Sequence, residues 1–301
     1  MNLNAYQNLF VNEAGSPLPE GGVRLTFFGT TMCLLDDGET QLLLDAHLTR
    51  PSVLRVLLGR LKTDAAFVDE VLRRFPMDRL RAIFLSHTHY DHALDAAYIA
   101  QKTGADLYGT VSAQNIGLGG GIPADRLHLF EPKKPVQIGA FEITVLPSLH
   151  SKPTAINNDL GVVIGQPLTQ PARMRDYAEG GSYDFYIRHG EKTLLVRPSC
   201  NYIEGSLKDV RADTLLLGIS GLGKEDEQFH DAFYRETVGA VQPKRVIPVH
   251  WDNFFAPLIA PLPYQMRFVD DIAGDMEYLK ARLDADGIAF EMVDAFETVA
   301  L

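Results

Sequence analysis

Between Ser86 and His92 the chain reads SHTHYDH, which puts three of its nine histidines and one aspartate into a single short stretch. Neutral imidazole and carboxylate are ligands for zinc and neighbouring divalent metals. Side chains alternate along an extended segment. His87 and His89 are therefore expected to share a side, Asp91 to continue the alternation, and His92 to point elsewhere, toward a second position. Each position needs a further ligand from a distant part of the chain. His150 and His250 are the candidates, because VLPSLH and VIPVH each place a histidine just past an apolar run. Asp45 ends a third such run, QLLLD. Apolar strands that each deliver a metal-binding side chain at one end are what a site on a sheet edge requires.

The elements around these residues follow from pattern. Residues 23–46 predict strands, with DDGET as the turn between MCLL and QLLLD. RPSVLRVLLGRL starts a helix with Ser52 as a plausible N-cap. DAAFVDEVLRRF has the spacing of an amphipathic helix and stops before Pro76. LRAIFL suits a strand buried on both faces, directly ahead of the histidine cluster. ALDAAYIAQKTG predicts a helix closed by Gly104, and ADLYG the next strand. Strand pairs are expected in PVQIGAFEITVLPS and in YDFYIRHGEKTLLVRPS. ADTLLLGI and KRVIPV predict single strands, DEQFHDAFYRETVGA a helix, and 268–285 a last helix before the strand IAFEMV. This order predicts an α/β protein of two packed mixed sheets with helices outside, an αββα sandwich. Residues 1–22, ending in GSPLPEGG, are expected to be an N-terminal extension to one domain spanning 23–301. The longest irregular segment, 165–182, has the length of a lid or binding loop.

The 301 residues are 46% hydrophobic and carry a formal net charge of −11, ample for a core and opposed to a nucleic-acid partner or an anionic membrane surface. Two cysteines, Cys33 and Cys200, make no disulfide framework. The first residues lack the basic and apolar regions of a secretory signal, and no run has the ~18 apolar residues of a membrane helix. A cytoplasmic protein with a small-molecule substrate and no membrane insertion is expected; homo-oligomerisation is left open.

SHTHYDH, the later His150 and VIPVH resemble the HxHxDH signature and following histidines of the metallo-β-lactamase-fold hydrolases, and LLLDA resembles that fold's first-strand aspartate motif. The match runs from about Val23 to Phe255. SHTHYDHALD and VIPVHWDNFFAPL are most similar to the branch containing L-ascorbate-6-phosphate lactonase and N-acyl-phosphatidylethanolamine phospholipase D. The resemblance implies a first metal site of His87, His89 and His150, and a second of Asp91, His92 and His250. It makes Asp45 an orienting residue rather than a ligand. One departure stands out. The family places a bridging aspartate in a Gly-Asp turn after the hairpin strand, whereas VRPSCNY has Ser199 at that position. A neutral hydroxyl is a poor ligand, so a weak second site is expected, with one or two metals per chain. Cys200 is an alternative ligand, since thiolate binds zinc well.

Other chemistry-bearing residues have plainer readings. His47, His128, His189 and His230 are expected to be structural, with His47 the one closest to the motif at Asp45. Arg173 and Arg175 in the long loop are either solvated or a clamp for an anionic substrate. Tyr90, Tyr202 and Trp251 are candidates for the substrate pocket. IGLGGGIP, 116–123, lacks the strand–glycine–helix context of a phosphate loop and reads as a flexible turn.

Together these residues predict a metal-dependent hydrolase in which a metal-bound hydroxide attacks an ester or lactone, an amide or a phosphodiester, with Asp91 handling the proton. Zinc is expected first from the imidazole-rich set, with manganese or iron admitted by the carboxylate. A non-catalytic metal-dependent ligand sensor and a mononuclear iron dioxygenase are the alternatives.

Overall fold

The computed structural model describes residues 3–16, 18, 21–154 and 158–301. The chain builds one sheet, then the other, and finally returns to the first. Strands β1 (Arg24–Phe27), β2 (Cys33–Asp36) and β3 (Gln41–Leu44) form an antiparallel meander. The turn between β2 and β3 is fixed by two aspartates. Asp36 Oδ1 accepts from Gly38 N at 2.8 Å, and Asp37 Oδ1 accepts from Glu39 N and Thr40 N at 2.8 and 2.6 Å, while Gly38 supplies the positive φ of 94°. Helices α1 (Val53–Leu58) and α2 (Ala65–Arg74) follow, the second capped by Asp64, whose carboxylate accepts from Phe67 N.

Strand β4 (Leu80–Phe84) then lies parallel to β3, with Ala82, Ile83 and Phe84 fully buried. It is followed by a helical turn α3 (Tyr90–Ala93), helix α4 (Ala96–Thr103) closed by left-handed Gly104, and strand β5 (Asp106–Gly109). Helix α5 (Val111–Gly119) and strand β6 (Leu127–Leu129) complete this half. Part of IGLGGGIP is therefore helical rather than a turn. Gly117 packs where any added Cβ would meet the Leu127 side chain at 2.5 Å, so the glycine lets α5 lie close on β6.

The second sheet comprises β7 (Val136–Ile138), β8 (Phe141–Pro147), β9 (Tyr183–His189), β10 (Lys192–Arg197), β11 (Thr214–Gly218), β12 (Arg245–Val249) and β13 (Ala289–Phe290), with helix α6 (Glu227–Tyr234) between β11 and β12 and helix α7 (Ile272–Asp286) between β12 and β13. Strand β14 (Thr298–Ala300) crosses back to pair with β1. Both sheets have seven strands, ordered β14-β1-β2-β3-β4-β5-β6 and β13-β12-β11-β10-β9-β8-β7.

The two sheets face each other across an apolar core, as in the edge-to-face contact of Phe84 and Phe185 at 5.9 Å. This is the αββα sandwich expected of the pattern. Residues ahead of β1 also join it. Tyr6 is buried, Phe10 bridges to Met292, and its ring meets Trp251 edge-on at 5.8 Å. Among the described residues no helix is long and apolar enough to cross a membrane.

Candidate metal centre

Four strand ends meet at one edge of the sandwich. β3 delivers Asp45, β4 delivers the segment 85–92, β8 delivers His150 and β12 delivers His250. His87 and His89 sit on irregular chain, and the helical turn α3 begins at Tyr90. Asp91 is therefore not a continuation of an extended alternation. The turn swings Asp91 and His92 together toward His250, away from the side that His87 and His89 share.

Two sets of three result. The ligand atoms of His87, His89 and His150 lie within 4.8 Å of one another, and so do those of Asp91, His92 and His250. The sets adjoin, with the His87 and His92 ring centroids 3.8 Å apart. Among the described residues these are the groups of three or more His, Cys, Asp or Glu side chains close enough to hold one ion.

The hydrogen bonds around the rings fix which nitrogens carry lone pairs. Ser86 Oγ donates to Asp45 Oδ2 at 2.9 Å, so toward His87 Nδ1, 3.2 Å away, it accepts; His87 Nε2 is then the bare nitrogen, and it is buried with no hydrogen-bond partner. His89 Nε2 lies 3.1 Å from Asp159 Oδ1 and His150 Nδ1 lies 3.0 Å from the Ser151 carbonyl, so both of these nitrogens are donors. His89 Nδ1 and His150 Nε2 thus present lone pairs to each other at 3.2 Å. Nothing but a shared cation or an extra proton makes that approach favourable. Two nitrogens bound at ~2.0–2.1 Å to one tetrahedral zinc are about 3.3 Å apart, so the separation fits an ion. The imidazoles suit it in charge as well. Burial, then the neighbouring imidazoles, hold His87 well below its ordinary pKa, and the same causes bring His150 down to about 4.

The second set has the same logic. His92 Nδ1 donates to Asp45 Oδ2 at 2.8 Å, which turns a bare Nε2 toward Asp91 Oδ2 at 3.6 Å. His250 Nε2 lies 3.3 Å from the same oxygen. Burial alone would raise the Asp91 pKa, but His92 and His250 outweigh it and hold the carboxyl well below its ordinary range.

Asp45 belongs to neither set. Its carboxylate also accepts from Ser86 N at 2.8 Å and from Thr31 Oγ1, so it locks the β4 exit and the His92 ring together. Such outer partners orient a ligand and raise its basicity. Asp45, Thr30 and His250 all adopt φ values of 54–62°, a left-handed conformation that non-glycine residues seldom take.

The other expected site residues are placed as follows. Ser199 is buried just past β10. Cys200 joins neither ligand set, and burial followed by Asp275 and Asp270 pushes its thiol well up, away from the thiolate a metal requires. Trp251 is fully buried between Phe10 and Tyr264, as a core residue is. Its neighbour His250 lies on the site side, in the second ligand set. Tyr90 is buried against His47, and Tyr202 is half-buried against Phe229. Arg173 and Arg175 are exposed. Cofactor-free roles suffice for His128, His189 and His230, which pair with Asp106, Asp37 and the Leu222 carbonyl. His47 is different. It is fully buried, its Nε2 has no partner, and burial followed by Arg50 holds it neutral.

Several neighbours of the site had no signal in the sequence. The long loop, singled out by its length, braces the site from its far end by contacts no pattern foretold. Thr88 N donates to the Glu179 carbonyl at 3.0 Å, and Thr88 Oγ1 donates to the Ala178 carbonyl. Asp159 and the Arg50–Asp252 ion pair lie far from SHTHYDH in the chain, and only folding joins them to it.

A family model described as "Beta-lactamase superfamily domain" matches residues 41–251. A "UPF0173 metal-dependent hydrolase" of Heliobacterium modesticaldum is 28% identical over 77% of this chain and 84% of its own length. Among solved structures, Igni18, a metallo hydrolase from the archaeon Ignicoccus hospitalis, superposes with a TM-score of 0.60 at 18% identity, over 93% of this chain and 98% of that one. CmlA, a diiron β-hydroxylase from Streptomyces venezuelae, has a TM-score of 0.57 at 18% identity, over 95% of this chain and 55% of its own. At such identities the structures speak for the fold alone. The matched span covers all four strand ends that meet at the site, and the chain belongs to the β-lactamase superfamily, in its metallo-β-lactamase fold.

Proposed function

We propose that this protein, a metal-dependent hydrolase of the β-lactamase superfamily, cleaves a small-molecule ester or lactone, amide or phosphodiester with water at the strand-end site. The observation that carries this reading is the pair of lone-pair nitrogens, His89 Nδ1 and His150 Nε2, facing each other at 3.2 Å beside the bare His87 Nε2. His87, His89 and His150 would hold the first ion; Asp91, His92 and His250 would hold a second. A divalent ion supplies Lewis acidity and lowers the pKa of bound water to about 7, with zinc the best match to the imidazole-rich donors.

The chain's own groups do the rest. Asp91, held ionised beside His92 and His250 in the second set, would accept the proton of the attacking water. Asp45 keeps His92 in one tautomer and so keeps Asp91 opposite His250. Ser199, at the position where the resemblance places a bridging carboxylate, would offer only a neutral hydroxyl, so a second ion would be the more weakly held. The hydrolase name of the Heliobacterium modesticaldum relative supports hydrolysis over the oxygen chemistry of the diiron neighbour.

The test is elemental analysis of the purified protein, followed by a lactone, ester, amide and phosphodiester panel with the metal found. Turnover lost on chelation and restored by that metal is the expected result. A bound metal with no turnover anywhere in the panel favours a ligand sensor. Substrate-dependent oxygen consumption by an iron-loaded form favours a dioxygenase.

A further inference from the structure

We infer that Asp159 is a positioning residue for the first metal ion, and that through it the segment 158–163 is tightened by metal binding. The inference rests on the metal-site reading above and deepens it. His89 is the more exposed of the two first-set ligands in SHTHYDH, and it stands at the N-cap of a single helical turn. Its ring is held from outside by Asp159, whose Oδ1 is 3.1 Å from Nε2. That bond settles the tautomer, because an ionised carboxylate only accepts. The proton stays on Nε2 and the lone pair stays on Nδ1, opposite His150. Without Asp159 the ring is free to flip or to move its proton to Nδ1, and either change removes a ligand.

Asp159 is itself held. Its Oδ2 accepts from Glu179 N at 3.2 Å. The Glu179 carboxylate is buried and accepts from Gly161 N at 2.7 Å, Gly181 N at 2.9 Å and Ser182 Oγ at 2.5 Å, while its carbonyl accepts from Thr88 N between the two ligand histidines. Gly180 N completes the tie with a 2.9 Å bond to the Val162 carbonyl. The loop Thr88–Glu179–Gly161–Asp159–His89 is therefore closed by hydrogen bonds. Leu160, Val162 and Val163 are exposed on this segment, so little apolar burial holds it down. Its order depends on the polar ring, and an ion on His89 strengthens one link of that ring.

The experiment is a zinc titration against a competing chromophoric chelator, on the full chain, for wild type, Asp159→Asn and Glu179→Gln. Hydrogen exchange of the 158–163 amides is followed with and without zinc, and circular dichroism checks the fold. Loss of an outer partner to a ligand histidine typically costs ~10–100-fold in metal affinity. Asp159→Asn should show that loss, and zinc should no longer slow exchange at Gly161. Glu179→Gln should speed exchange in the same segment while keeping affinity within about threefold of wild type, a difference well inside that range. Equal affinity losses in the two variants would reduce Asp159 to a loop-folding role and overturn the inference, as would an unchanged affinity in Asp159→Asn. Wild-type protein that binds no zinc or other divalent metal would instead overturn the metal-site reading itself.

Discussion

Arg50 and Asp252 form an ion pair at 2.8 Å in which both side chains are almost wholly out of solvent. The pair joins the two sheets behind His250. Asp252 Oδ1 also accepts from Thr30 N at 2.7 Å, and the Thr30 carbonyl accepts from His250 N at 2.6 Å, so the left-handed His250 backbone is clamped through two steps. Gly29 beside it takes a φ of 85°, which side chains rarely adopt, and a Cβ there would also displace the Arg50 guanidinium. Removing one partner of a buried pair leaves a bare charge, which costs about 3–5 kcal/mol. Arg50→Met should lower unfolding free energy by that amount in denaturant titration. It should also weaken the second metal more than the first, measured as stoichiometry after dialysis. A variant as stable as wild type would mean that Asp252 finds another partner.

Asp45 predicts a different pattern. Its carboxylate fixes His92 and the exit of β4 but touches neither His89 nor His150. Asp45→Asn keeps the shape and loses the charge that holds the proton on His92 Nδ1. The second ion should bind ~10–100-fold more weakly, and the first should be weakened less, because Asp45 reaches His87 only through Ser86 Oγ. Two-site zinc titration reads this directly. Equal weakening of both sites would show that Asp45 acts on the whole strand edge instead of on one ring.

Asp275, in the first turn of α7, offers a test by pH. It is 1% exposed, and neither oxygen makes a hydrogen bond of normal geometry. Burial first, then Asp270, push its pKa up to about 9, with Asp271 adding to the rise and the Gly223 N–H offsetting part of it; the Cys200 thiol is the other titratable neighbour. An unfolded aspartate titrates near ~3.9. Above that pH the folded chain retains a proton that the unfolded chain releases, so stability falls as pH rises from about 4 toward 9. Asp275→Asn removes this dependence. Its thermal midpoint should exceed that of wild type at pH 8, by roughly 2–4 °C for each kcal/mol relieved, and the gap should close toward pH 4. A gap that is constant with pH would rule out a retained proton.

The parts of this site legible in the sequence are those with a local pattern. LRAIFL and VIPV are short apolar runs, and a histidine or aspartate immediately past such a run must lie at a sheet edge. His150 and His250 follow such runs, while His87, His89, Asp91 and His92 stand out as one dense cluster, and the structure brings the ligand atoms of all six together in two adjoining groups. Asp159 follows no strand and has no motif. Arg50 and Asp252 are 202 residues apart, and no one-dimensional spacing relates them. Trp251 misled because adjacency to a ligand in sequence says nothing of side-chain direction. The helical turn at Tyr90 was hidden by its length, since four residues carry no period. The same holds for β14, three residues that become a strand only because β1 offers them an edge.

The last prediction separates an enzyme from a binding protein. Asp91 lies 3.3 Å from His250 Nε2 and 3.6 Å from His92 Nε2, and it is outside the His87, His89, His150 set. Asp91→Asn should therefore leave the first metal bound, as measured by elemental analysis. The amide keeps the shape but cannot take a proton from water, and loss of a general base typically costs ~10²–10⁴ in rate. His89→Ala removes one of three ligands from the first ion and should lose metal and activity together. With a substrate from the panel, kcat and metal content are measured side by side for both variants. Near-normal kcat in metal-loaded Asp91→Asn would remove Asp91 from the proton-transfer step. A parallel loss of first-site metal and rate in both variants would instead make Asp91 a structural part of the first site, which its position in the second set of ligands argues against.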